Sequence, residues 1–386
     1  MKKVLVIFHD SHRLSGASAS MLDLIDSLNN IGGISISAVF PNDKGTIIKD
    51  IKQRGIKYYI APYHSCRYVT CDGIFNKINM AGRTIAKLAV SLFGAYKFRK
   101  IALNYDCIYS NTTDIYFGMF LHQFTSVKHI WHIREFGLLD QDARHIIGDK
   151  LFYKLLYKTS SQIITISDVL KRHILSKVED IDSKVHRVYD DVALLTSDSD
   201  DNVVHNFDRL NLLIVGSISS GKGQEFLIEG IKASVDSGIP VKLSIVGDDT
   251  KEHALYLKEK VSALNIQRFV KFLGFRDDVT TLREQFNIAI IASRAEAFGR
   301  VTIEAMNAKQ LVIANDGGAN VELIQDGVTG FLFEVNNISS LLEIFRKILS
   351  MNDKQVNSIA SSGYISSQEY TQSQCGKYVH KLINEL

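Results

Sequence analysis

The sequence predicts an α/β protein made of two Rossmann-like, doubly wound domains, each built on a parallel sheet. Three observations carry that expectation. The chain has 386 residues, more than one ordinary core accommodates. Short β-branched apolar runs alternate with longer stretches of helical period, the pattern of repeated βα units. Those runs are apolar at almost every position, as expected where helices cover both faces of a sheet. With 46% hydrophobic and 23% charged residues the composition is that of a globular protein. No run of eighteen apolar residues is present to cross a bilayer as a helix.

The elements follow in order. VLVIF (4–8) is five apolar residues with no small-residue cleavage site after it, so it reads as a first strand rather than a secretion signal, and a cytoplasmic protein is expected. ISISAVF (34–40), KYYIA (57–61), CIYS (107–110), HIWHI (129–133), QIITI (162–166) and VHRVY (185–189) complete an N-terminal domain over 1–190. Residues 191–209 are acidic and aperiodic, the expected linker, and Asp198 and Asp200 within it read as solvated charge rather than a metal pair. LLIVG (212–216), KLSIVG (242–247), VKFLG (270–274), IAIIA (288–292), LVIA (311–314) and FLFEV (331–335) give a second domain over 210–365. Residues 366–386 are expected as a C-terminal helix able to pack back on the first domain. No repeat of 20–50 residues is visible. Two such domains facing each other would gather their C-terminal strand ends around one cleft, where such sheets bind ligands.

Cys66, Cys71, Cys107 and Cys375 show neither a C-x-x-C pair nor zinc-ligand spacing, and are expected as reduced structural thiols. The net charge of +3 conceals an asymmetry: residues 1–190 hold 26 Lys and Arg against 17 Asp and Glu, a charge of +9, leaving −6 for 191–386. From Gly73 to Tyr105 there are six cations, Lys77, Arg83, Lys87, Lys97, Arg99 and Lys100, and no acid, around IAKLAVSLFGAY (85–96). KLFYKLLYK (150–158) places lysine at every fourth position among leucine and aromatic residues. Two readings stay open: a face that lies on anionic lipid, or core helices with a solvated basic side. No helix-turn-helix, zinc or RNP pattern accompanies the charge, so no nucleic-acid partner is expected.

The second half holds the candidate chemistry. LLIVGSISSGKGQEFLIEGIKAS (212–234) reads strand, glycine loop, helix. Gly216, Gly221 and Gly223 let backbone approach a ligand, the N–H groups opening the helix lack partners, and Lys222 adds a cation: an anion site, or a plain helix-start turn. SRAEAFGRVTIEAM (293–306) follows the next strand. A helix from about Arg300 explains Glu304 as an acid near a positive helix end, but leaves Glu296 unexplained in the loop. A carboxylate there accepts hydrogen bonds in pairs, as vicinal hydroxyls require. NDGGANVEL (315–323) gives a third strand–glycine–helix turn, with Gly317, Gly318 and Glu322. Phosphate-binding turns beside carboxylates fit a nucleotide sugar.

At this point the chain resembles glycosyltransferase family 4. The resemblance rests on GSISSGKGQ, IVGDD, FLGFRDD, SRAEAFGRVTIEAM, NDGGANVE and DGVTGFLF, spread over about residues 211–335, with an E-x7-E spacing from Glu296 to Glu304. It implies the two-domain GT-B fold and a metal-independent, retaining sugar transferase with no cofactor beyond its UDP- or GDP-linked donor. A glycan or lipid-linked acceptor in bacterial surface polysaccharide or glycolipid synthesis is implied with it, and so is a place in the cytoplasm or on the inner face of the membrane. An epimerase of nucleotide sugars on the same scaffold is the alternative. By the resemblance, Lys222 contacts the donor diphosphate together with the loop of Gly216 and Ser217, and Glu304 holds the ribose. Glu296 and the backbone of Phe298, Gly299, Arg300 and Val301 hold the sugar and its phosphate. Gly274 and Arg276 lie near the base, and Gly16 and His132 lie near the reacting sugar. Glu296, His132 and Lys222 are the catalytic candidates. Three positions depart from the pattern: Ser217 replaces an arginine, Lys309-Gln310 replaces a glycine-x-proline stretch, which reads as a neutral loop change, and Asp190-Asp191 replaces asparagine-glycine at the hinge.

Overall fold

The computed structural model describes residues 1–386 except 13–15, 70–73, 179–181, 193–205 and 373. Cys71, Asp198, Asp200 and most of the expected linker therefore lie outside the described residues. The chain divides into two compact units, Met1–Asp191 with Ser373–Leu386, and Val192–Gln372.

The first unit contains β1 (Lys2–Ile7), β2 (Ile34–Phe40), β3 (Lys57–Ile60), β4 (Arg67–Val69), β5 (Cys107–Asn111), β6 (Lys128–Ile133), β7 (Ala143–His145), β8 (Gln162–Thr165) and β9 (Val185–Arg187). Seven form a sheet in the order β3-β2-β1-β5-β6-β8-β9, parallel throughout. β4 and β7 form a separate antiparallel ladder, which no apolar run announced. Alternation along β1 sets the layers. Val4 and Val6 enter one core with Met21, Leu24 and Leu28 of the helix Gly16–Ile31. Leu5 and Ile7 enter the other with Phe98 and Ala102 of the helix Ile74–Ala102.

The helix Gln374–Asn384 belongs to the first of these cores through Cys375, Val379, Leu382 and Ile383. It approaches the helix Gly16–Ile31 so closely that a Cβ on Gly376 would lie 1.9 Å from Ser27 Oγ and 2.6 Å from Ser27 Cβ. Gly376→Ala is therefore expected to destabilise the first unit by about 1–3 kcal/mol, the usual cost of overpacking. Denaturant unfolding checks it, and Ser27→Gly in the same chain should restore most of the loss.

The second unit contains β10 (Leu210–Val215), β11 (Val241–Val246), β12 (Val270–Phe272), β13 (Ile288–Ile291), β14 (Leu311–Asn315) and β15 (Phe331–Phe333). They form an all-parallel sheet in the order β12-β11-β10-β13-β14-β15. Leu210, Leu212 and Ile214 face a core with Leu227 and Ile231 of the helix Gln224–Asp236 and Phe345 of the helix Ile338–Ser350. Leu213 faces the other side, with Val246 and Leu282. Strand order reverses between β10 and β13, and at such a point a crevice opens outside the strand ends.

Candidate functional site

The loops after β10, β13 and β14 leave the sheet at neighbouring strand ends. After β10, Gly216 takes φ 150°, the 3-10 turn Ser220–Lys222 follows, and Gly223 at φ 75° starts the helix Gln224–Asp236. A Cβ on Gly223 would lie 2.0 Å from the Ala292 carbonyl oxygen, so only glycine lets this loop rest on the end of β13. The first N–H groups of that helix have no carbonyl within the helix to bond, which makes its start electropositive.

The loop after β13 is held from both sides. Arg294 N–H donates to Gly221 O at 2.9 Å, and Ala319 N–H donates to Glu296 O at 2.7 Å. Asn315 Nδ2 donates to Ser293 O at 2.9 Å. Held this way, Glu296 Oε2 meets Lys222 Nζ at 3.2 Å. The pair is partly exposed, so it contributes under about 1 kcal/mol to the fold. What it supplies is a cation and a carboxylate side by side at the start of a helix.

Gly299, at φ 93°, is the N-cap of the helix Arg300–Asn307. Glu304 lies one turn in. Its Oε1 meets Arg300 Nε at 3.1 Å and its Oε2 meets Arg283 Nη2 at 3.4 Å. Arg283 is buried; its Nη1 donates to Gln310 Oε1 at 3.0 Å, and burial pushes its pKa down while Glu304 opposes that shift. Nothing in the sequence marked Arg283, because its partners lie 21 and 27 positions away. Gln310 is correspondingly no neutral loop change: it is buried, accepts from Arg283 and donates to Phe286 O at 3.1 Å.

The third glycine turn supports a neighbouring loop. The helix after it, Asn320–Leu323, is a single turn. Gly318 instead lies against the loop after β13, where a Cβ would meet Glu296 O at 2.1 Å and Glu296 N at 2.4 Å. A Cβ on Gly317 would meet Arg294 O at 2.9 Å. The two glycines make room for the loop that carries Glu296.

Other expected residues in this unit are placed as follows. Gln224 Nε2 donates to Ser217 O at 2.9 Å. Gly274 O accepts the Gly247 N–H at 3.0 Å, and a Cβ on Gly247 would lie 2.2 Å from Gly216 O, so the loops after β10, β11 and β12 adjoin. Arg276 is exposed and bonds Asp278 on its own loop, Nε to Oδ1 at 2.7 Å. The Phe298 side chain is core, its ring 6.1 Å from that of Tyr370. Val301 is half-buried in the first helical turn. The structure thus pairs Lys222 with Glu296 and Arg300 with Glu304 at the two ends of the loop after β13, and turns Arg276 toward its own loop.

In the first unit, Gly16 opens the helix Gly16–Ile31 with open space where a Cβ would stand. Ala17 O accepts from Asn111 Nδ2 at 3.1 Å, and Asn111 Oδ1 accepts from Arg134 Nε at 2.7 Å. Arg134 also pairs with Asp190 and donates through Nη2 to His132 Nδ1 at 3.1 Å. His132 is fully buried, with Tyr109 Oη 2.7 Å from Nδ1, so that ring nitrogen is taken up by this network. Because the guanidinium donates to Nδ1, the ring proton sits on Nε2, 3.9 Å from Asp190 Oδ1. Burial, with Arg134 adding to it, holds the His132 pKa well below its usual value. Both hinge aspartates have work: Asp190 holds Arg134, and Asp191 Oδ1 accepts the Cys375 N–H at 3.4 Å. Cys66, Cys107 and Cys375 are buried free thiols, and burial pushes Cys66 and Cys107 up to about 12. Among the described residues, no group of three or more His, Cys, Asp or Glu is placed to hold a metal ion.

The fold defines the class: a protein of two doubly wound parallel sheets. Residues 198–364 match the family model of glycosyl transferases, group 1. An uncharacterized glycosyltransferase of Methanocaldococcus jannaschii is 26% identical over 274 residues, 70% of this chain and 72% of that protein. The capsular polysaccharide biosynthesis glycosyltransferase CapM of Staphylococcus aureus is 23% identical over 216 residues, 52% of this chain and 55% of that protein. HepE of Anabaena, solved in complex with UDP and glucose, matches with a TM-score of 0.77 at 18% identity, covering 100% of both chains. At that identity the likeness speaks for the fold, the two-domain GT-B arrangement of parallel sheets.

Proposed function

We propose that the chain is a glycosyltransferase of family 4, which moves a sugar, with retention, from a UDP- or GDP-linked donor to a glycan or lipid-linked acceptor of bacterial surface polysaccharide or glycolipid. One observation carries the reading: Lys222 and Glu296 meet at 3.2 Å, at the strand-order reversal of the second unit and beside two helix starts. Retention requires the diphosphate to be stabilised as it leaves, while the acceptor hydroxyl attacks the same face of an oxocarbenium-like centre. Lys222 and the helix-opening N–H groups receive the developing charge, the role otherwise given to a metal. When the donor enters, Lys222 divides between the diphosphate and Glu296, which positions the sugar hydroxyls. Arg283 and Arg300 hold Glu304 toward the ribose. His132, buried, acts through Arg134 and Asn111 on the first turn of the helix Gly16–Ile31. CapM and HepE support the reading through what their names and bound molecules say of them.

A thermal-shift panel of UDP- and GDP-sugars tests it. One donor should raise the melting temperature by an amount that grows with RT ln(1 + [L]/Kd). That donor incubated without acceptor should remain unchanged. A flat panel overturns the reading, and conversion of the donor to its epimer replaces it with isomerisation.

A further inference from the structure

The helix Ile74–Ala102 is built inside out. From residue 82 onward its buried positions are Ser91, Gly94, Ala95, Phe98 and Ala102, and all but Phe98 are small. A Cβ on Gly94 would lie 2.2 Å from Pro62 O, so this small-residue stripe is what lets the helix press onto the backbone beneath it. The large apolar residues point the other way. Ile85, Leu92, Phe93 and Tyr96 are all exposed, Ile85 at 68% and Phe93 at 56%. With Ala89 they recur three or four positions apart, which makes one continuous outward stripe. Phe124, exposed on the helix Phe117–Thr125, widens it, with its ring 5.7 Å from that of Tyr96.

Cations border this stripe. Residues 82–105 contain Arg83, Lys87, Lys97, Arg99 and Lys100 and no Asp or Glu, and the helix Phe117–Thr125 contains no Asp, Glu, Lys or Arg. Lys97 Nζ lies 4.4 Å from the centre of the Phe93 ring, and Arg99 Cζ lies 3.6 Å from that of Tyr96. Long basic side chains beside exposed rings suit a boundary between water and hydrocarbon, where the stems are buried and the charges stay wet. Among the described residues no helix is long and apolar enough to cross a membrane.

We propose that this face docks on an anionic lipid bilayer, with the Ile85–Tyr96 stripe entering the acyl boundary and the flanking cations meeting acidic headgroups. Charge decides the occupant. A second copy of the chain seated here would set cations against cations. An anionic surface complements both parts of the face and would hold the protein where a lipid-linked acceptor is found. The inference is independent of the transfer reading, because vesicle binding is measured without a sugar nucleotide, so the two fail separately.

The experiment is co-sedimentation of the full chain with phosphatidylcholine vesicles, with and without phosphatidylglycerol, at low and high salt. Binding should require phosphatidylglycerol and weaken with salt. Lys97→Ala with Lys100→Ala should weaken it roughly fivefold per cation. Leu92→Ser with Phe93→Ser should weaken it by at least about tenfold, from the apolar area withdrawn. Unchanged circular-dichroism melting keeps either loss from being one of fold. Equal binding to both vesicle types, no binding, or wild-type behaviour of both variants overturns the proposal. So does a wild-type dimer that Leu92→Ser with Phe93→Ser converts to monomer.

Discussion

Glu296→Gln lowers sugar transfer by about 10²–10³-fold, the usual loss when one polar group that stabilises the transition state is removed from a site. The melting temperature should stay within a few degrees of wild type, because the lost pair with Lys222 is partly exposed and contributes under about 1 kcal/mol. The substitution keeps the shape and one acceptor oxygen but removes the charge. The loop keeps its place through main-chain and asparagine contacts the side chain does not make: Ala319 N–H on Glu296 O at 2.7 Å and Asn315 Nδ2 on Ser293 O at 2.9 Å. The loss should appear in kcat and kcat/KM alike if Glu296 acts on the transferring sugar, whereas a rise in KM alone would assign it to ground-state binding. Assays with the donor found by thermal shift, alongside calorimetric melting of the same preparation, separate these outcomes. Wild-type turnover by this variant would remove Glu296 from the site.

Gly318→Ala should damage both fold and activity. Gly318 sits at φ 68°, where a side chain costs about 1–2 kcal/mol, and its Cβ would strike the Glu296 main chain at 2.1 Å. No side chain can rotate to relieve a contact with backbone, so the Glu296 loop itself must move. A displacement of about 1 Å at a reacting group costs on the order of 10²-fold in rate. A lowered melting point together with a loss of turnover in the fraction that remains folded is therefore expected. Full turnover per folded molecule would show that Gly318 serves packing only.

The strands were legible and the stitching was not. All thirteen apolar runs named from the sequence became strands, with ends within two residues of those expected, and most are legible because a strand buried on both faces is apolar throughout, the edge strand β3 being partly exposed. The ladder of β4 and β7 escaped notice since Arg67 and His145, which pair across it, are polar residues buried by their neighbours. Glu296 and Lys222 could be named because glycine loops mark them. Arg283 and Gln310 could not, since a buried arginine is recognisable only once its partners are in space. Gly318 was recognised as a special position, but its contact with the Glu296 loop was not legible: a glycine that approaches a ligand and one that approaches another loop look alike in sequence. For the helix Ile74–Ala102, composition gave the charge but not which stripe was buried, and small residues facing inward reverse the usual expectation.

The most direct test of the central claim, that Lys222 and Glu296 flank a nucleoside diphosphate at the strand-order reversal of the second unit, is titration calorimetry of UDP and GDP into wild type and Lys222→Ala. One of the two nucleotides should bind the wild-type protein. It should bind the variant at least about tenfold more weakly, as expected when one charge-assisted contact worth about 1.5–3 kcal/mol is removed, with melting unchanged. Binding of equal strength to both proteins, or binding of neither nucleotide to the wild type, would contradict it.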